Sequence, residues 1–205
     1  MNESLRKDFS TIASSLNIFT QDEITRQKWF VSFGSLLYLI RDFKHGVPFE
    51  TDMDISITGR HRYERTRKNL ENGGWNRIRE IRNDFTDDIL YAEYESPNGL
   101  SLDLFFWFQV GDLLWHTYDY LMEKPSDGRP SKYHFKGTPK WMFEGGIKDF
   151  NWLDGEPKLK VPIKYGTLLD YWYPDWFIPN PDFGVSLGII KEVDSCADLE
   201  KKLWV

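Results

Sequence analysis

Polar and apolar residues change rhythm along this chain, and the changes outline its elements. In "DMDISIT", residues 52–58, alternation is strict. Asp52, Asp54 and Ser56 fall on one side, Met53, Ile55 and Ile57 on the other. That is the two-residue period of a strand with one apolar face. Upstream, "SLLYLIRDF" spaces Leu36, Leu37, Leu39 and Ile40 as a helix does, with Ser35 near its start. Before it, "WFVSF" at 29–33 is a short aromatic run that Gly34 ends. The expected order is strand, Gly-Ser turn, helix, strand.

Elsewhere the pattern predicts helices at 3–16 and 21–30, the second opened by a capping box from Thr20 to Glu23. "KHGVP" is a break at Gly46 and Pro48. A helix is expected from about 60 to 71, closed by Gly73-Gly74. "NRIREIR" reads as a strand, and "ILYAEYES" and "LSLDLFFWFQV" as the arms of a hairpin about "PNG". In the second arm Leu100, Leu102, Leu104 and Phe106 share a face, and Ser101, Asp103, Phe105 and Trp107 share the other. Further on, "YHFKGTPKWMFEGGIKDFNWLDGEPKLKVPI" is full of Gly and Pro and reads as loop-rich. "YGTLLDYWY" is expected to be a short helix stopping at Pro174. This order predicts an α+β fold with a mixed sheet. With no repeat and no low-complexity linker, one domain over 1–205 is expected. Its core spans about 20–115 and a C-terminal extension about 116–205.

Composition narrows the class. Hydrophobic content of 40% and charged content of 28% are those of an ordinary globular protein. The formal net charge of −6 argues against a general nucleic-acid binder. Cys196 is the only cysteine, which excludes an internal disulfide and a cysteine zinc cluster. The four histidines lack ligand spacing. No apolar stretch has signal-peptide or membrane-span length, so no membrane span and a cytoplasmic location are expected. Aromatic residues make up 17% of the chain, enough to supply both core and stacking surfaces.

Three features share one chemical purpose. Gly34-Ser35 at a strand-to-helix turn lets backbone approach a ligand and offers N–H groups to an anion. Asp52 and Asp54 repel each other on one strand face unless a cation lies between them. Asp103 is a lone acid on an otherwise apolar strand, which is costly unless it is paired or metal-bound. Converging carboxylates make a hard oxygen site for Mg²⁺ or Mn²⁺, with substrate phosphate among the remaining ligands. Such a site supports phosphoryl transfer to an oxygen nucleophile.

Several residues carry two readings. Asp103 either joins the metal site or pairs with Arg77, Arg79 or Arg82. Arg41 either touches phosphate or a site carboxylate, or forms an ion pair with Asp42 or Glu50. Phe105 and Trp107 either stack on a base or sugar or pack the core. Arg60, Arg62, Arg65, Arg67 and Lys68 either attract an anionic ligand or form a solvated helix face. Trp141, Trp152, Trp172 and Trp176 either line a sugar groove or pack beneath the loops.

Gly-Ser at such a turn, D-x-D on the next strand and a later Asp resemble the nucleotidyltransferase superfamily typified by DNA polymerase β. More narrowly, "FGSLLYLIRDFKHGVPFETDMDISI" resembles the LicD and fukutin family. The matching positions are Gly34-Ser35, Leu36-Leu37, Arg41, Pro48-Phe49-Glu50 and Asp52-Met53-Asp54-Ile55. Phe49 replaces that family's usual Trp, and Glu50 its usual Asp. "LSLDLFF" looks like the family's later Asp strand, and "VPIKYGTLLDYWYPDWFIP" like its closing segment, through Pro162, Leu169, Tyr173, Trp176 and Pro179. The resemblance implies a nucleotidyltransferase-like mixed sheet flanked by helices. It also implies an enzyme that moves a phospho-alcohol, such as phosphocholine or an alditol phosphate, from a CDP-linked donor to a glycan hydroxyl. The same triad would serve an NTP-using nucleotidyltransferase, and a degenerate binding member is the third possibility. Under the first reading Asp52 and Asp54 bind the metal that carries the donor diphosphate. Asp103 completes the site and helps deprotonate the acceptor. Gly34, Ser35 and Arg41 contact phosphate.

Overall fold

The computed structural model of the chain describes residues 3–17, 28–43, 52–58, 63–117, 132–152, 158–178 and 189–196. Its spine is strand β5 (Ser101–Val110), which follows α1 (Glu3–Asn17), β1 (Lys28–Val31), α2 (Phe33–Leu37), β2 (Asp52–Thr58), α3 (Tyr63–Asn72), β3 (Asn76–Arg82) and β4 (Ile89–Glu95). After it come β6 (Leu113–Thr117), β7 (Tyr133–Pro139), β8 (Ile147–Phe150), β9 (Leu159–Pro162), α4 (Tyr165–Trp172) and β10 (Ile189–Val193). The fold is α+β with a mixed sheet and few helices.

An eight-stranded sheet runs β1-β2-β5-β6-β7-β10, with β4 and then β3 branching from β5. The first part of β5 lies between β2, parallel to it, and β4, antiparallel to it. Its end, Phe108 to Val110, pairs instead with β6. Neighbours on both edges and helices on both faces explain why β5 is almost wholly apolar. On one face Tyr63 of α3 meets the Phe106 ring edge-on at 5.5 Å. Helix α1 packs beside α3, and its Asp8 accepts from Ser96 Oγ (2.8 Å) and Asn98 Nδ2 (3.0 Å) at the hairpin turn. On the other face Phe33 of α2 packs on Phe105 (5.0 Å) and on Trp172 of α4 (4.7 Å). A separate two-stranded ribbon joins β8 to β9.

The strand at 52–58, the hairpin about residues 97–99, the Gly73-Gly74 stop and the short helix before Pro174 lie where the pattern places them. Two expectations change. Residues 28–31 are strand, paired with β2 from Lys28↔Thr58 to Val31↔Ile55, so no helix runs through residue 30. The apparently loop-rich stretch holds β7, β8 and β9, and β7 and β10 extend the main sheet. The Thr20–Glu23 capping box, the "KHGVP" break with Phe49 and Glu50, Arg60, Arg62 and Pro179 lie outside the described residues. Among the described residues no helix is long and apolar enough to cross a membrane.

Candidate metal centre

Parallel pairing of β2 with β5 sets Asp54 beside Asp103 and Asp52 beside Ser101. Side-by-side residues of parallel strands point to the same face, so the D-x-D alternation aims both acids at the Asp103 side. One carboxylate oxygen from each of Asp52, Asp54 and Asp103 lies within 4.8 Å of the other two. Asp52 is exposed, Asp54 half-buried, and Asp103 is 9% exposed.

Gly34 and Ser35 meet these acids directly. The Ser32 N–H donates to the Asp54 carbonyl at 3.0 Å and fixes the start of α2 against β2. Ser35 N–H donates to Asp54 Oδ2 at 3.3 Å, and Gly34 N–H gives the same carboxylate a further bond. Ser35 Oγ accepts from Asp54 N–H at 2.8 Å and donates to the Asp52 carbonyl at 3.3 Å. These N–H groups, expected to face a phosphate, orient the Asp54 carboxylate here. Phe33, just before them, has φ +43°, a left-handed backbone that costs a bulky residue on the order of 1 kcal/mol or more. Its ring, buried among Phe105, Trp107, His116 and Trp172, offsets that strain.

Burial and mutual repulsion dominate the electrostatics. The Asp54 carboxyl is held well above the usual range, first by burial and then by the charges of Asp52 and Asp103. The Ser35 and Gly34 N–H groups pull it the other way. Burial, then Asp52, push Asp103 up to about 7, against the hydrogen bond from Tyr91 and the charge of Arg79. Tyr91 Oη donates to Asp103 Oδ1 at 2.7 Å. Arg79 lies over the Tyr91 ring, 5.2 Å from its centre, and pairs with Glu93 at 3.3 Å. Of the three arginines open as Asp103 partners, Arg79 acts on it, while Arg77 and Arg82 pair with Glu80.

This donor set suits a hard divalent cation. All three donors are carboxylates, and the cluster contains no Cys or His that would favour zinc or copper. Two oxygens sharing an ion with bonds of about 2.1–2.4 Å stand at most roughly 4.2–4.8 Å apart, and separations within 4.8 Å are compatible with that limit.

Other candidate residues are placed elsewhere. Arg41 lies on the single π turn Tyr38–Asp42 that continues α2. Its Nε and Nη2 donate to Asp42 at 2.6 and 2.7 Å, and its Nη1 to the Trp176 carbonyl at 3.0 Å. The ion-pair reading therefore describes Arg41 in this structure. Phe105 and Trp107 are buried in the core, and Trp107 Nε1 donates to Ser56 Oγ at 2.8 Å, so neither ring is open for stacking. Arg67 pairs with Glu64 and Glu71 on α3, which packs on the face opposite the acids. Trp152 and Trp172 are buried, whereas Trp141 is 50% exposed.

Tyr91 and Glu93 escaped the sequence reading. Their signal was present: the turn at Pro97–Gly99 fixes a register that sets Glu93 opposite Asp103 and Tyr91 diagonal to it. No protein-family model matches the chain, and no curated protein matches it.

Proposed function

We propose that this protein is a divalent-metal-dependent transferase. It moves a phospho-alcohol from a CDP-linked donor to a hydroxyl acceptor such as a glycan. The observation that supports this most is the register Asp54↔Asp103, which gathers three carboxylates around one point while backbone N–H groups fix one of them. Mg²⁺ or Mn²⁺ held by Asp52, Asp54 and Asp103 would supply charge neutralisation for the donor diphosphate. The chain's own residues do the rest. Ser35 and Gly34 keep Asp54 oriented. Tyr91 occupies Oδ1 of Asp103 and leaves Oδ2 to face the reactants. The acceptor hydroxyl passes its proton to Asp103 as its oxygen bonds to the donor phosphorus. The bond from that phosphorus to the CMP oxygen breaks, and CMP leaves. The resemblance to the LicD and fukutin family supplies the donor class, and the net charge of −6 agrees with a partner other than nucleic acid. A cytoplasmic site of action belongs to the same proposal.

The test is calorimetric titration of CDP, CTP and CDP-linked alcohols with Mg²⁺ or Mn²⁺, comparing wild type with the Asp52→Ala, Asp54→Ala double variant. Metal-dependent binding of CDP compounds that vanishes in the variant is the expected result. Tighter binding of CTP than of every CDP-alcohol would redirect the proposal to nucleotidyl transfer. A folded wild type that binds neither metal nor nucleotide would overturn the catalytic reading.

A further inference from the structure

Gly34 is exposed, and two polar groups from distant parts of the chain meet at the point where its side chain would begin. A β-carbon there would lie 3.4 Å from Asp54 Oδ2 and 4.0 Å from Tyr173 Oη. Tyr173 is 3% exposed, so the direction of its hydroxyl is set by packing. Its backbone is tied as well. Tyr173 N–H donates to the Leu169 carbonyl at 2.7 Å, and Trp176 N–H to the Tyr173 carbonyl at 3.1 Å. Trp176 Nε1 donates to Asp170 Oδ1 at 2.8 Å. Arg41, itself held by Asp42, closes this turn from the other side through the Trp176 carbonyl at 3.0 Å. The segment carrying Arg41 and the turn after α4 are thus clamped together next to Gly34.

We propose that Tyr173 is a substrate-contacting residue. Its hydroxyl donates to a phosphate oxygen of the diphosphate-bearing donor, seated in the space that Gly34 leaves beside Asp54. Arg41 is a positioning residue that holds the turn bearing Tyr173. The inference deepens the transferase reading above and rests on it. Its chemistry follows from the neighbourhood. The acids supply only acceptors, and the N–H groups of Gly34 and Ser35 are directed at Asp54. A phosphate next to a carboxylate-bound cation needs a further donor, and a phenol supplies one without competing for the acids as a lysine or arginine would. The bare Cα of Gly34 lets the phosphate come close.

Calorimetry decides it, with Mn²⁺ alone, and then with CDP and with inorganic pyrophosphate in the presence of Mn²⁺. The proteins are wild type, Tyr173→Phe, Arg41→Met, the double variant of those two, and Gly34→Ala. Tyr173→Phe is expected to bind Mn²⁺ within about twofold of wild type and both phosphate ligands about tenfold more weakly, the effect of one hydrogen bond to a charged group. Arg41→Met should weaken both ligands too, and adding Tyr173→Phe should cost little more, since both act through one hydroxyl. Gly34→Ala should fold, because its methyl meets ordinary contacts at 3.4 and 4.0 Å, and should keep Mn²⁺ but lose both phosphate ligands. Equal affinity of wild type and Tyr173→Phe for CDP and pyrophosphate, or unimpaired binding by Gly34→Ala, would overturn this inference while the metal reading stands. A wild type that binds neither phosphate ligand in the presence of Mn²⁺ would overturn both.

Discussion

Tyr91 donates its phenol hydrogen to Asp103 Oδ1 at 2.7 Å, from the strand antiparallel to the one bearing Asp103. This bond stabilises the ionised carboxylate in a place where burial and Asp52 favour the neutral acid. It also leaves one oxygen of Asp103 for the centre. Removing an outer partner of a metal ligand commonly weakens metal binding about 10- to 100-fold. Tyr91→Phe is therefore expected to bind Mn²⁺ about tenfold more weakly, read by electron paramagnetic resonance of the free ion. Its fold should lose only about 1 kcal/mol in a denaturant melt. Unchanged Mn²⁺ affinity would show that Tyr91 only packs.

A cluster of like charges is destabilising in the absence of a cation. Asp54 is half-buried beside two other carboxylates, and desolvation of its carboxyl together with their charges holds it well above the usual range. In metal-free buffer at pH 8, Asp54→Asn should raise stability, by about 1 kcal/mol, because it removes a buried charge that its neighbours repel. Mn²⁺ is expected to raise the melting temperature of wild type, and the same variant should lose that rise. A destabilised metal-free variant would mean that the Ser35 and Gly34 bonds to the carboxylate outweigh the repulsion.

Protons and cations compete for the same oxygens. With Asp103 raised to about 7 and Asp54 raised as well, Mn²⁺ must displace protons on binding near neutral pH. Affinity should climb between pH 6 and pH 8, and binding should release protons, detected as a calorimetric enthalpy that changes with the ionisation enthalpy of the buffer. A flat affinity over that range would place the Asp103 titration well below neutrality.

Much of this centre is legible in the sequence because strand alternation is a local property. Asp52 and Asp54 share a face by counting, and the tight turn at 97–99 sets the register around Asp103. Long-range contacts are not local in that way. Gly34 and Ser35 could be read as a helix start, but their contact with Asp54 depends on how α2 folds back on β2. Strand β7 was hidden by Gly137, which reads as a breaker. In the sheet it makes room for the Trp115 ring, which would crowd a β-carbon there at 3.1 Å. The order β1-β2-β5 crosses over β3 and β4, and no periodicity reports a crossover. Tyr173 comes beside Gly34 only through the packing of α4 on α2, and its place in the closing segment by itself says nothing of that contact.

Acid sensitivity of the fold provides a check on the face that carries the acids. His116 is buried among Phe33, Phe105 and Trp107, and its Nδ1 lies 2.9 Å from the Thr117 carbonyl. Burial pushes its pKa down from 6.5 to about 3, so the native state keeps the ring neutral where the unfolded chain protonates it. The unfolded state then binds more protons between those values, and the His116 contribution to stability is full above pH 6.5 and falls as pH drops towards 3. Asp103, raised to about 7, has the opposite slope, because there the native state binds more protons than the unfolded chain. Total stability therefore mixes the two, and a difference measurement separates them. The stability of wild type minus that of His116→Gln, from urea melts at successive pH values, should be constant above pH 7. It should shrink by up to about 1.4 kcal/mol per pH unit between 6 and 4. A difference that stays constant down to pH 4 would mean that His116 titrates as it does in water, and that the aromatic layer beneath the three acids admits solvent.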